Sequence, residues 1–307
     1  MPNAYLTGAD LATFGVPNAT AAQITSASAL IDSYLKRPEG LLYGVDGNQA
    51  PAYMLGAQPR ASLALGTPIA AGTAVVATLT GPASMLAVGD VLLIDIPTPG
   101  ITEALVVQAV TGQQVTFAQV QFAHSSAAPL QLGLVITEQR TMPQGRPITQ
   151  VSRVPIVAGL AGVGRYGYQR RGDDGFGNMD TYNLLAVMSK FGGPPAWEAF
   201  TLQANSIDPL TGQVWVPAGV LLAYYTEVKI SYVAGWTYAT LPYEIKQACA
   251  NILTAQLAIG GMGGIQTMKA GDTQITRFAG AKGGPGPTVI DGDTAALLAP
   301  YAARLFA

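Results

Sequence analysis

The run Ala104–Phe117, ALVVQAVTGQQVTF, decides how the middle of this chain is read. Two β-type segments, Ala104 to Val110 and Gln114 to Phe117, flank Thr111 to Gln113. Gly112 inside that connection supplies the backbone freedom a tight hairpin needs. On the N-terminal side, Ala74 to Leu79 and Val91 to Ile96 are further short runs of the same kind, with Gly89-Asp90 as the turn before Val91. Leu130 to Thr137 is the last strand of the series, so residues 60–139 are expected to fold as a small closed β unit.

After that unit, residues 140–237 mix strands with a loop rich in Gly and charge, Gly162 to Gly177. Asp208-Pro209-Leu210-Thr211-Gly212 is a turn sequence, because Pro presets one turn dihedral and Gly accepts the left-handed one. Val214 and Val216, and later Val228, Ile230 and Tyr232, recur at period two, which predicts a sheet with one buried face.

Helical signals sit at the two ends. Thr7 is the N-cap of a short helix with Asp10 three residues on, stopped by Gly15 and Pro17. From Thr20, Ile24, Ala27, Ile31, Tyr34 and Leu35 follow helical spacing, with Lys36 and Arg37 in the last turn before Pro38. Near the other end, Thr240, Pro242 and Glu244 open a helix that Gly260-Gly261 terminates. Along it Glu244, Gln247, Asn251 and Thr254 form only a narrow polar stripe beside Ile245, Cys249, Ile252, Leu253 and Leu257, so it must be covered on more than one side. Met262 to Pro287 reads as a flexible arm in which Gln274 to Phe278 can form a strand, and Asp293 to Phe306 as a short helix interrupted by Pro300. The expected fold class is therefore α+β: a helical core from residues 1–59 and 238–307, a β-sheet region at 140–237 and a small barrel-like β unit at 60–139.

Composition narrows the functional classes. Charged residues make up 11% of the chain and hydrophobic ones 49%, leaving few ions to solvate an isolated monomer, so much of the surface is expected to meet partners. A net charge of -2 argues against tight binding to a polyphosphate, which needs many Lys and Arg contacts. The longest uncharged stretch, Ala61 to Gly89, is punctuated by Gly66, Pro68, Gly72, Gly81 and Pro82, unlike a membrane span. Met1 to Asp10 lacks the basic and apolar regions of a secretion signal, so synthesis in the cytoplasm is expected. Cys249 is the only cysteine and reads as an inert buried hydrophobe.

No constellation announces catalysis. His124 is the only histidine, which excludes a His-based metal cluster, and Ser125 and Ser126 are too close in sequence to converge with it on one reacting atom; it reads as a turn histidine. Arg171-Gly172-Asp173 is a short match in a Gly-rich loop, and Gly260-Gly261-Met262-Gly263-Gly264 follows a helix, so it caps and hinges rather than cradling phosphate. Asp173 and Asp174 offer a hydrolase acting on cell-wall glycan its only paired carboxylates, but adjacent ones are poorly placed across a glycosidic bond. Tyr166 and Tyr168 interleave with Arg165, Arg170 and Arg171, a composition suited to a protein interface. Lys269, Arg277 and Lys282 in the arm are candidates for contact with passing DNA or an acidic neighbour. No catalytic, metal-binding or cofactor-binding residue is assigned.

The order of several motifs carries a resemblance: Ala29-Leu30-Ile31-Asp32-Ser33-Tyr34-Leu35, then Ser231-Tyr232-Val233-Ala234-Gly235-Trp236, then Leu241-Pro242 and Ile245-Lys246-Gln247-Ala248. The chain resembles the head-to-tail connector (adaptor, or neck) family of tailed bacteriophages. Met268-Lys269-Ala270-Gly271-Asp272 and Leu298-Ala299-Pro300-Tyr301 fit the same pattern, so the resemblance covers roughly the first 40 and last 110 residues. Arg146-Pro147-Ile148 and Val151 to Val157 resemble a strand that usually follows the second helix sooner, which marks the intervening β stretch as an insertion. Its Leu92 to Asp95, Glu103 to Val110 and Phe122-Ala123-His124 segments resemble small barrels inserted in other phage structural proteins.

The resemblance implies a non-enzymatic virion protein of the neck, assembled in the host cytoplasm as a ring of about twelve copies between portal and tail. Its implied partners are further copies of itself, the portal protein, a tail or tail-terminator (stopper) protein, and passing double-stranded DNA without sequence specificity; no membrane is involved. On that reading Leu297, Leu298, Tyr301, Arg304, Leu305 and Phe306 dock on the portal, and Tyr34, Arg37, Trp236, Ile245 and Ile252 lie between subunits. A tail-terminator or decoration protein is the alternative that the β-rich middle also suits.

Overall fold

The computed structural model describes residues 4–43, 63–96, 98, 100–142, 147–166, 196–219, 225–260, 267–270, 273–276 and 290–303. Among them the chain forms two compact units, one from residues up to 41 and from 237 onward, the other from 42 to 236.

The first unit holds the α-helices found among the described residues. Thr7 precedes α1 (Gly8–Thr13), and the Asp10 carboxylate accepts hydrogen bonds from the Thr7 backbone N–H at 3.0 Å and hydroxyl at 2.6 Å. Thr20 and Gln23 close the same reciprocal box at the start of α2 (Ala21–Tyr34), with Gln23 N donating to Thr20 Oγ1 at 3.3 Å and Thr20 N to Gln23 Oε1 at 2.8 Å. Ile24, Ala27, Ser28 and Ile31 form the buried face of α2, and α2 packs against α3 (Tyr243–Gly260), which buries Ile245, Ala248, Cys249, Ile252 and Leu253. A short α4 (Gly292–Leu298), capped by Asp291 accepting from Thr294 N at 2.8 Å, packs on α3 and buries Thr294 and Leu298.

The second unit is β throughout its described residues, apart from short 3-10 turns. Six antiparallel strands close a barrel: β1 (Leu63–Leu65), β2 (Gly72–Thr80), β3 (Val91–Ile94), β4 (Glu103–Thr111), β5 (Gln114–Val120) and β6 (Pro129–Leu132), in the order β1-β2-β5-β4-β3-β6 with β6 returning to β1. Alternation puts Leu79, Leu92, Leu105, Val107, Val115 and Phe117 inside. The β4–β5 hairpin turns at Gly112, whose φ of 61° is the left-handed conformation that a residue with a Cβ resists.

The remaining strands are β7 (Val135–Thr141), β8 (Ile148–Gln150), β9 (Ile156–Arg165), β10 (Glu198–Phe200), β11 (Gln213–Trp215) and β12 (Glu227–Ala234). They form a sheet ordered β10-β9-β12-β7 and a separate β8–β11 pair. Val228, Ile230 and Tyr232 of β12 lie on one buried face with Val151, Leu202, Val214 and Val216. On the opposite face Val233 and Ala158 meet Val91 and Leu93 of the barrel, with Tyr43 beside them. The first unit also holds a hairpin of β13 (Thr267–Ala270) and β14 (Thr273–Thr276).

Three expectations are corrected. Strand predominates: fourteen strands stand against four α-helices among the described residues, so the chain is mostly β and is not an α+β protein organised on a helical connector core. The end segments do form helices, but the described residues from 63 to 234, which outweigh them, are mainly strand, and periodicity within each segment carries no information about which segment supplies the framework. The segment 130–137 is not one closing strand: β6 ends at Leu132, and β7 pairs with β12 from Val135↔Val233 to Thr141↔Glu227. The boundary expected at 139/140 therefore lies inside β7, and excising 60–139 would remove most of a sheet strand along with the barrel. Finally, Gly162 and Gly164 do not start a loop; they are interior residues of β9.

Candidate functional site

His124 is where the barrel gathers its ionisable groups. Between residues 61 and 132 the only ionisable side chains are Asp90, Asp95, Glu103 and His124, and no Lys or Arg occurs from 61 to 139. Three of those four converge. Asp95 follows β3, Glu103 is the first residue of β4, and His124 lies between β5 and β6, bridged through its backbone to Ile69 at 2.9 and 3.0 Å. The imidazole Nδ1 lies 2.6 Å from Asp95 Oδ2 and Nε2 lies 2.6 Å from Glu103 Oε1, with the residue only 3% exposed. Glu103 is buried as well, and its two oxygens also accept from the Gln121 and Phe122 backbone N–H groups at 2.8 and 3.2 Å. Burial alone would disfavour the imidazolium, but hydrogen bonds to Glu103 and Asp95, reinforced by both negative charges, raise its pKa above the usual 6.5. With both ring nitrogens donating to carboxylates, the imidazolium has no lone pair for a metal ion. No group of three or more His, Cys, Asp or Glu among the described residues is arranged to hold a metal ion.

A second buried polar cluster fixes the sheet. Glu138 of β7 accepts from Ser152 N at 3.0 Å, from Ser152 Oγ and Tyr232 OH at 2.5 Å each, and from Arg140 Nη2 at 2.5 Å. Burial would raise the Glu138 carboxyl, but the Ser152 and Tyr232 hydrogen bonds and the Arg140 charge outweigh it and hold the group below the usual carboxylate range. In the helical unit Tyr5 OH donates to the buried Asp32 carboxylate and accepts from Leu41 N at 3.0 Å, tying the N-terminal segment to α2 and to the chain leaving it. Burial pushes Asp32 up to about 7 and the neighbouring Cys249 thiol up to about 12. Cys249 is thus a protonated, buried thiol beside Ser28.

The residues singled out in the sequence fall into three groups. Ile245 and Ile252, expected between subunits, are fully buried in their own unit, and Arg37 is buried there too. An apolar helical face reveals that something covers it, and here the chain's own α2 and α4 help to do so. Tyr34 remains 44% exposed, one turn beyond Leu30 on α2, and Trp236 is half-buried with its carbonyl accepting from Tyr43 N at 3.2 Å. Of the expected docking residues, Leu298 has 0% exposure and belongs to the unit's core, while Leu297 and Tyr301 are half-buried and Tyr301 OH donates to Glu244 at 3.1 Å. Arg304, Leu305 and Phe306 lie outside the described residues, as do Arg277, Lys282, Tyr168, Arg170, Arg171, Gly172, Asp173 and Asp174. Lys269 is in β13, Tyr166 is buried, and Arg165 pairs with Glu227 at 2.5 Å and stacks on Trp197 at 4.6 Å.

The turn reading of His124 is also corrected, since it is a buried residue held from both sides. The scarcity of ionisable side chains around it was the available signal: three of four in so apolar a segment are costly to bury separately and least costly together.

Leu298→Ala is expected to destabilise the helical unit by about 2–4 kcal/mol, because the site is fully enclosed and leaves a cavity. Thermal melts followed at 222 nm test this; an unchanged melting temperature would show that α4 detaches freely from α3.

Comparison with protein-family models, with curated proteins and with solved structures gives no match. Among the described residues no helix is long and apolar enough to cross a membrane.

Proposed function

We propose that the chain is a non-enzymatic structural subunit of a tailed-phage virion, a neck protein that joins portal to tail and continues the DNA channel. The observation that carries this reading is the order of the motifs, from Ile31-Asp32-Ser33-Tyr34-Leu35 through Ser231–Trp236 to Leu241-Pro242 and Ile245–Ala248. Two of these motif sets, in α2 and α3, come from opposite ends of the chain and pack together in one unit. The low charged fraction and the exposed Leu30–Tyr34 pair on α2 suit a protein that spends its life against other chains. The reading does not depend on a helical framework, because it rests on segments of the smaller unit and not on the fold of the whole.

A second reading, a tail-terminator or decoration protein, is favoured by the predominance of strand. Both make the protein a virion part, and one experiment separates them. Purified protein is mixed with portal rings and with tails, and complexes are resolved by sedimentation and negative-stain imaging. Ring-shaped density on the portal is expected. Binding to tails alone, or to the capsid surface alone, would favour the second reading, and a monomer that joins none of them would overturn both.

A further inference from the structure

We infer that one end of the barrel is held by a bound proton: Asp95, His124 and Glu103 form a proton-dependent clasp that joins the β3–β4 connection to the β5–β6 connection. The argument is one of donors and acceptors. A neutral imidazole has one N–H and one lone pair, whereas here both ring nitrogens face carboxylate oxygens at 2.6 Å. Only the imidazolium donates to both. Removing its proton to solvent leaves one nitrogen lone pair pointed at a carboxylate oxygen, and that contact must open or recruit a proton from elsewhere.

Among the described residues, only Asp95 and Glu103 act on the ring through their charges. The elements packed around the ring contribute Asp95 from the end of β3 and Glu103 from the start of β4; the segment 66–72, which bridges to His124 through Ile69, has no ionisable side chain. The segment 121–128 has none besides His124 itself, and the sequence from 61 to 139 contains no lysine or arginine.

The clasp reaches beyond the ring. Glu103 holds the Gln121 and Phe122 amides, and the Gln121 side chain donates to Leu202 O at 3.2 Å, in the segment whose leucine packs under the sheet. Because the native pKa is raised, the stabilisation is fully present below the ordinary histidine value of 6.5 and is lost as pH rises through the native midpoint.

The full chain has a single histidine, so its ring ¹⁵N signals are unambiguous. Titration of ¹⁵N-histidine-labelled protein is expected to show both nitrogens protonated at low pH and a midpoint above 6.5. Hydrogen exchange, corrected for intrinsic base catalysis, should then lose protection by about tenfold or more at residues 95–103 and 121–128 above that midpoint, while β12 stays protected. In His124→Gln, which holds no charge, the same segments should be deprotected at every pH. A midpoint at or below the ordinary value, or protection unchanged across the midpoint, would each overturn the clasp, whether or not the variant folds.

Discussion

Asp32→Asn is expected to remove most of the pH dependence of the helical unit's stability between about pH 4 and 7. In the folded chain burial raises this carboxyl from 3.8 to about 7, although the Tyr5 hydroxyl donates to it. A raised carboxyl contributes its full stability below the unfolded value and loses it as pH climbs, the loss being complete above the folded value. A rise of this size corresponds to on the order of 4 kcal/mol. Asn presents the same oxygen to Tyr5 without a charge, so the variant should match or slightly trail the native chain near pH 4 and exceed it by about 2–4 kcal/mol at pH 8. Urea unfolding at 222 nm at the two pH values measures the difference. Equal pH dependence in both chains would mean that Asp32 ionises at its ordinary value and that the Tyr5 contact does not isolate it from water.

The other large effect is expected at Gly164. A Cβ built there would lie 2.3 to 2.7 Å from the Tyr225 ring, and one at Gly162 would lie 2.2 to 2.8 Å from the Phe200 ring. These rings lie 5.8 Å apart, nearly stacked, and Tyr166 meets Tyr225 at 5.1 Å, so a shift at one displaces the others. Gly164→Val should therefore cost about 3 kcal/mol or more, the upper end of overpacking, seen as a lower denaturation midpoint by tryptophan fluorescence. Gly72→Ala is the control, since its Cβ would approach nothing closer than 3.4 Å and the change should be close to neutral. If both variants melted alike, the aromatic row would be adaptable and the glycines would have no steric role.

The same glycines explain where sequence reasoning failed. Gly162 and Gly164 were read as loop residues because glycine punctuates chains, but here the missing side chain is a space that aromatic residues some forty to sixty positions away occupy. A local window cannot contain such a partner. The period-two pattern of Val214, Val216, Val228, Ile230 and Tyr232 was legible for the opposite reason: burial on one sheet face acts on every second residue of the same segment, and all five are buried. The capping boxes at Thr7–Asp10 and Thr20–Gln23 span three residues each; the first was readable as such, while at the second only the helix start was recognised. The candidate site was not legible, because Asp95, Glu103 and His124 are brought together by barrel closure and share no spacing. Apolar faces at Ile245 and Ile252 were legible as faces but not as to what covered them, which is why residues assigned to neighbouring subunits turned out to be covered by their own chain.

Barrel closure has one more consequence. Its first and last strands are hydrogen-bonded neighbours, Leu63 facing Leu130 and Ala64 facing Pro129, so the chain enters and leaves the barrel at nearly one point. A host backbone needs only a gap about as wide as one strand spacing, ~5 Å, to accept it. The six-stranded module from β1 to β6 is thus geometrically portable: it can be transplanted into an ordinary surface turn of another protein, or its ends rejoined and new termini opened at the Gly112 hairpin, without separating any pair of neighbouring strands.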